Sequence, residues 1–142
     1  AVWHRGAVDA DGKTGDGAGI HVEIPKDFFI EKIEVTGHDY DNSEICVGMI
    51  FLPRNDYSSQ ESCKTIVESE LTKNNFSIYG WRQVPVNPKI LGEKAFQTMP
   101  EIIQVLFKPN DLNLIDKDLE RKIYETRKKI ENKAFELSLN NF

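Results

Sequence analysis

Cysteine and histidine are scarce in this 142-residue sequence, which has two cysteines, Cys46 and Cys63, and three histidines. Two thiols do not make a disulfide scaffold, and no C-x-x-C pair is present. His4, His21 and His38 stand 17 residues apart, a spacing that does not suit a Cys/His zinc site. Both cysteines are read as small apolar residues in a reducing compartment, which places the chain in the cytoplasm. No apolar run approaches the roughly 20 residues needed to cross a bilayer, so no membrane partner is expected. Ala1 to Gly6 lacks a basic region followed by an apolar stretch, and no signal peptide is visible. A basic excess is missing too: 18 Lys and Arg face 23 Asp and Glu, for a net charge of −5. Nucleic acid is therefore not an expected partner.

What is present is an ordinary globular composition, 39% apolar and 29% charged, at a length that suits one domain over residues 1–142. Five of the nine glycines fall in the first 19 positions, mixed with Asp9, Asp11 and Asp16. That mixture reads as a loop with special backbone angles. Ile20, Val22 and Ile24 then alternate with polar residues up to Pro25, the pattern of a half-buried strand. Phe28, Phe29 and Ile33 suggest a short helical turn or an apolar hook after Pro25, and residues 35–44 a polar loop. Cys46 to Leu52 is nearly continuous in apolar residues and reads as a strand buried on both faces. Ser58 and Glu61 form an S-x-x-E capping box ahead of Cys63, Ile66, Val67 and Leu71 at helical spacing, with Asn74 and Asn75 at the helix end. A strand over Phe76 to Val86, bent at Gly80 and ended by Pro85, follows. A short helix near Glu93 to Gln97 and a strand over Ile102 to Phe107 come next. The last helix carries Leu119, Ile123, Ile130, Ala134 and Leu137 along one stripe, with Asp118/Lys122 and Glu125/Lys129 spaced as ion pairs. Seven basic residues between Lys117 and Lys133 face four acidic ones and read as a solvated helix surface. Helices are too few to separate every strand of a parallel sheet, so the order favours an α+β arrangement with antiparallel strands.

Several motifs fail on inspection. Gly12-Lys13-Thr14 resembles the end of a phosphate-binding loop, but Ala7 stands where the pattern needs glycine, and a strand rather than a helix should follow. Asp9-x-Asp11 begins like a calcium loop, yet Lys13, Thr14 and Ile20 occupy positions that need an oxygen ligand, a glycine and a glutamate. Gly15-x-Gly17-x-Gly19 lacks the G-x-G-x-x-G spacing. Cys46 and Cys63 lie on apolar segments, whereas a reactive thiol needs an exposed, electropositive setting. One constellation remains: Arg5 and Gly6 precede the glycine loop, and Asp16-Gly17-Ala18-Gly19 opens the segment at Ile20. A guanidinium beside successive backbone amides can hold a carboxylate or fix a reactive loop. Composition favours the simpler reading, in which Arg5 pairs with Asp9 or Asp16 and stitches the loop together.

The run from His4 to Ile20 resembles the class II glutamine amidotransferase domain at the N-terminus of glutamate synthase large (alpha) chains. The likeness continues through Ile24-Pro25, Phe28-Phe29, Val47 to Pro53, Gly80 to Val86, Gln104-Val105 and Leu119 to Glu131, in one order along essentially the whole chain. It implies the N-terminal-nucleophile hydrolase fold, an αββα stack of antiparallel sheets, of which this chain is a part. It also implies a reaction in which glutamine is hydrolysed to glutamate and ammonia. The ammonia then passes to a synthase site that converts 2-oxoglutarate to a second glutamate. Glutamine and the rest of a glutamate synthase chain are the implied partners. FMN and an iron–sulfur cluster are implied in other domains, with no cofactor in this one.

In that family a cysteine at the mature N-terminus attacks the glutamine amide, with its own α-amine as base. Here residue 1 is Ala1, and the resemblance puts the cysteine upstream of the H-R-G motif. The substrate-clamping arginine and the asparagine–glycine oxyanion pair would follow the last helix. The expectation is an internal piece of the domain that is inactive by itself. Arg5 and Gly6 match the H-R-G motif that supports the nucleophile, and Asp16, Gly17 and Gly19 match the turn into a core strand. These are supporting positions, not bond-breaking ones. A rival expectation is a non-catalytic, self-associating module that keeps part of the fold.

Overall fold

A computed structural model of the chain describes residues 8–15, 19–137 and 139. They fall into two compact units, one drawn from residues 1–23 and 85–100, the other from 24–84 and 101–142.

The larger unit is built on a three-stranded antiparallel sheet. Its strands are β1 (Cys46–Leu52), β2 (Phe76–Gln83) and β3 (Glu101–Pro109), in the order β1-β3-β2. The last strand in sequence lies in the middle and is the most continuously buried of the three, Ile103 to Phe107 being buried without a break, because a central strand is shielded on both sides. Val47 faces Leu106 on one side of it, and Gly80 faces Leu106 on the other. β2 slips register between Ile78 and Gly80. Gly80 has φ +153°, and a Cβ there would press into the Thr36 side chain, so the bulge needs glycine. The threonine that fills this space donates its hydroxyl to the Tyr79 carbonyl at 2.9 Å.

One face of the sheet is covered by α2 (Tyr57–Lys73) and α4 (Asp116–Glu136). Cys46, Val67, Leu71, Phe76, Val105, Phe107 and Leu119 form the core between them. Burying each large apolar side chain contributes about 1.5–3 kcal/mol. α2 begins earlier than the S-x-x-E pattern suggests. Asp56 is the N-cap, accepting from the Ser59 amide at 3.0 Å and from its hydroxyl at 2.6 Å. A carboxylate reaches the orphan amides without competing for a proton, and it displaces Ser58 from the role. Asn75, at φ +64°, follows the helix end as expected. In α4 the stripe holds, with Thr126 buried inside it and its hydroxyl satisfied by the Lys122 carbonyl at 2.8 Å. Leu137 is exposed. The expected ion partners are engaged elsewhere: Glu125 accepts from Arg121 at 3.0 Å, and Lys129 donates to Asn74 at 2.6 Å.

The opposite face is covered at one end by α1 (Lys26–Val35), a ten-residue helix where the sequence suggests only a turn. Phe29 and Ile33, four apart, pack on Ile45, Tyr79 and Leu106. Beyond α1 the face is open, with Met49 50% and Phe51 52% exposed. β1 is therefore not buried on both faces: it is an edge strand, and the helix covering its far face is too short to reach these residues. Ile20 to Ile24 is also not a half-buried strand. It has no strand pairing among the described residues and is exposed throughout. Alternation supplies a face suited to a sheet but not the partner backbone that makes a strand.

Candidate functional site

The smaller unit holds the glycine-rich loop. Val8 and Gly15 form an antiparallel bridge, and the Asp9 amide donates to the Thr14 carbonyl at 2.7 Å. Gly12 turns the chain at φ +70°. Inside the turn, Asp11 accepts from the amides of Lys13 at 2.9 Å and Thr14 at 2.7 Å, and from the Thr14 hydroxyl at 2.5 Å. These bonds, led by the hydroxyl of Thr14, hold the Asp11 carboxyl well below the ordinary carboxylate range. The loop's own donors thus occupy Asp11, and among the described residues no three His, Cys, Asp or Glu side chains converge as a metal site.

The loop contacts a segment far away in sequence. Pro88–Ile90 forms a 3-10 turn capped by Asn87, and Glu93–Thr98 forms the short helix α3. Lys94 donates to Asp9 at 2.7 Å, and this bond leads the causes that lower the Asp9 pKa, ahead of the Ala10 amide. Gly92, the N-cap of α3, lies so close to Thr14 and Asp11 that any Cβ would overlap them. Neither Lys94 nor Gly92 is signalled by the sequence, apart from a glycine standing just before a short helix.

Of the supporting residues suggested by the sequence, Gly19 is exposed, with open space around its Cβ position. Arg5, Gly6, Asp16 and Gly17 lie outside the described residues.

The two thiols belong to the larger unit, and both are buried, Cys46 at 4% and Cys63 at 1% exposure. Desolvation, reinforced by Glu44, pushes the Cys46 thiol up to about 12. Desolvation also raises Cys63, with Asp56 adding to it. A thiol in such surroundings stays protonated near neutrality and is a poor nucleophile. Neither lines the groove of ≈590 Å³ beside β1, which is walled by Gly48, Ile50, Val67, Leu71, Ile123 and Ile130. Nor does either line a second cleft of ≈510 Å³, which lies among Arg54, Tyr57, Lys64, Trp81 and Glu101.

The profile of the family described as glutamine amidotransferases class-II matches residues 1–141. This chain belongs to the class II glutamine amidotransferases. Among curated relatives, the glutamate synthase [NADPH] large chain of Azospirillum brasilense is 49% identical over 142 residues, covering 100% of this chain and 9% of its own length. Ferredoxin-dependent glutamate synthase 1, chloroplastic/mitochondrial, of Arabidopsis thaliana is 43% identical over 129 residues, covering 90% of this chain and 8% of its own. The chloroplastic ferredoxin-dependent glutamate synthase of Spinacia oleracea is 36% identical over 132 residues, with 92% and 8% covered. The class II amidotransferase sequence thus corresponds to a segment of the glutamate synthase amidotransferase domain, spanning under a tenth of these relatives' length. Among the described residues no helix is long and apolar enough to cross a membrane.

Proposed function

We propose that the chain forms part of a glutaminase module that releases ammonia from glutamine inside a glutamate synthase. The observation that carries this reading is the 49% identity to a glutamate synthase large chain along the whole of these 142 residues. The module's contribution here is the self-closed loop Val8 to Gly15, directly after the H-R-G motif, with Arg5, Gly6, Asp16, Gly17 and Gly19 as supporting residues. The nucleophile is neither of the two cysteines present, because both are buried and protonated. By itself, then, the 142-residue chain does not hydrolyse glutamine. In the complete module a cysteine thiolate attacks the side-chain amide carbon of glutamine. The C–N bond breaks as the nitrogen takes a proton and leaves as ammonia, and water hydrolyses the thioester to glutamate. FMN and the iron–sulfur cluster belong to other parts of such a synthase, and the module works in the cytoplasm.

The same reading gives the sheet a second layer. Helices cover one face, and the open end of the other, at Met49 and Phe51, suits a second sheet in an αββα stack. In the isolated chain this open face favours self-association. The test of the main reading is ammonia release by a cysteine-headed polypeptide in which this segment is followed by the stretch that carries the substrate-clamping arginine and the oxyanion pair. Ammonia and glutamate formed in equal amounts support it, and absence of turnover contradicts it.

A further inference from the structure

We infer that α3 is the seat of the glycine-rich loop, with Gly92 and Lys94 acting as positioning residues for Asp9 to Thr14. The catalytic consequence rests on the glutaminase reading, whereas the contact itself does not. Gly92 has φ −68° and ψ 162°, angles that any residue adopts. Glycine is therefore required there for room and not for backbone freedom: a Cβ would overlap the Thr14 hydroxyl, the Thr14 amide and the Asp11 carboxylate. Those three groups make the bonds that close the loop. Two positions further on, Lys94 reaches Asp9 on the other arm of the same loop. One short helix thus holds both arms, the first through charge and the second through close fit.

The seat is itself stiff. The Phe96 amide donates to the Gly92 carbonyl at 2.9 Å, and the Thr98 hydroxyl closes the last turn on the Lys94 carbonyl at 3.3 Å. Asn87 and Pro88 fix the turn that leads in. The ion pair alone is a weak tether, since the Lys94 side chain is 63% exposed. The close fit at Gly92 is what makes it specific. On the glutaminase reading the loop adjoins the motif that supports the nucleophile, where a displacement of about 1 Å can lower the rate about a hundredfold.

The experiment compares Gly92→Ala, Lys94→Met and Lys94→Arg. Amide hydrogen exchange is read at Lys13 and Thr14 in the 142-residue chain, with the β3 amides as an internal reference. The kcat and KM for glutamine are read in the cysteine-headed polypeptide. Gly92→Ala should speed loop exchange by about tenfold or more and lower kcat by a similar factor while KM moves little. Lys94→Met, on an exposed side chain that folding does not need, should do the same to a smaller degree, and Lys94→Arg should restore both. Loop exchange that matches the parent in both Gly92→Ala and Lys94→Met overturns the inference, as does faster exchange with unchanged kcat. If the unsubstituted cysteine-headed polypeptide releases no ammonia, the glutaminase reading and the catalytic role fail together, while exchange still decides whether α3 seats the loop.

Discussion

The Tyr79 hydroxyl donates to the Asp41 carboxylate at 2.9 Å, joining residues 38 positions apart and pinning the 36–45 loop to the sheet. Lys108 pairs with the same carboxylate, and the Ser43 amide reaches it at 3.2 Å. The lysine is the largest cause that holds the Asp41 carboxyl below its ordinary value. Burial, followed by the nearby Asp41, pushes the Tyr79 phenol above its own.

This pair sets a stability window in pH. A carboxyl depressed in the folded state adds stability above roughly pH 3.9, and that contribution is lost as pH falls toward the lower folded value. A phenol raised in the folded state works in the other direction, so stability declines as pH rises past roughly 10. Denaturant midpoints should be flat between roughly pH 5 and 8, with the alkaline decline opened by the raised thiols of Cys46 and Cys63 above roughly pH 8.5 and steepened by Tyr79 above roughly 10. Tyr79→Phe should lower stability by about 1 kcal/mol near neutrality and reduce the alkaline decline. An alkaline limb unchanged in that variant would assign the decline to another group.

Gly80→Ala should destabilise the larger unit by about 1–3 kcal/mol, since both the φ of +153° and the Thr36 side chain oppose a Cβ. Thr36→Ser removes the methyl that Cβ would meet and should recover part of the loss. Urea titration of the two single variants and the double variant measures the coupling.

Leu106 is 0% exposed at the centre of β3. Leu106→Ala should cost about 2–5 kcal/mol, because strands on both sides and α1 above prevent collapse of the cavity. A loss below 1 kcal/mol in chemical denaturation would mean that the sheet is not the core of the unit.

Met49→Glu with Phe51→Glu places charge on the open end of the sheet without touching the packed face. Sedimentation should show the parent chain associating with rising concentration and the double variant remaining monomeric. A monomeric parent at high concentration contradicts the self-association.

Much of the larger unit was legible in the sequence. α2 and α4 show a helical stripe at Cys63, Ile66, Val67 and Leu71 and at Leu119, Ile123 and Ile130, and such stripes are local. β3 shows as an apolar run. The length of α1 is hidden because Pro25 and two adjacent phenylalanines look like a hook, while the i, i+4 pair Phe29 and Ile33 is what matters. The apolar run of β1 reads as fully buried, since apolar content does not reveal whether a strand is central or at an edge. Ile20 to Ile24 has the right period but lacks a partner among the described residues. The loop's seat was invisible because Asp9 and Lys94 are 85 positions apart, and Gly92 reports a close approach only when its neighbours are known. The family resemblance came from the long H-R-G to A-G-I run, which no periodicity encodes.

The direct test of the central claim, that neither thiol of this segment is the nucleophile, is exposure of the 142-residue chain to an electrophilic glutamine analogue. Ammonia release from glutamine is followed in parallel, and any adduct is mapped by mass spectrometry. The account predicts no ammonia and no label on Cys46 or Cys63 in the folded chain. Glutamine turnover with label on either cysteine would contradict it.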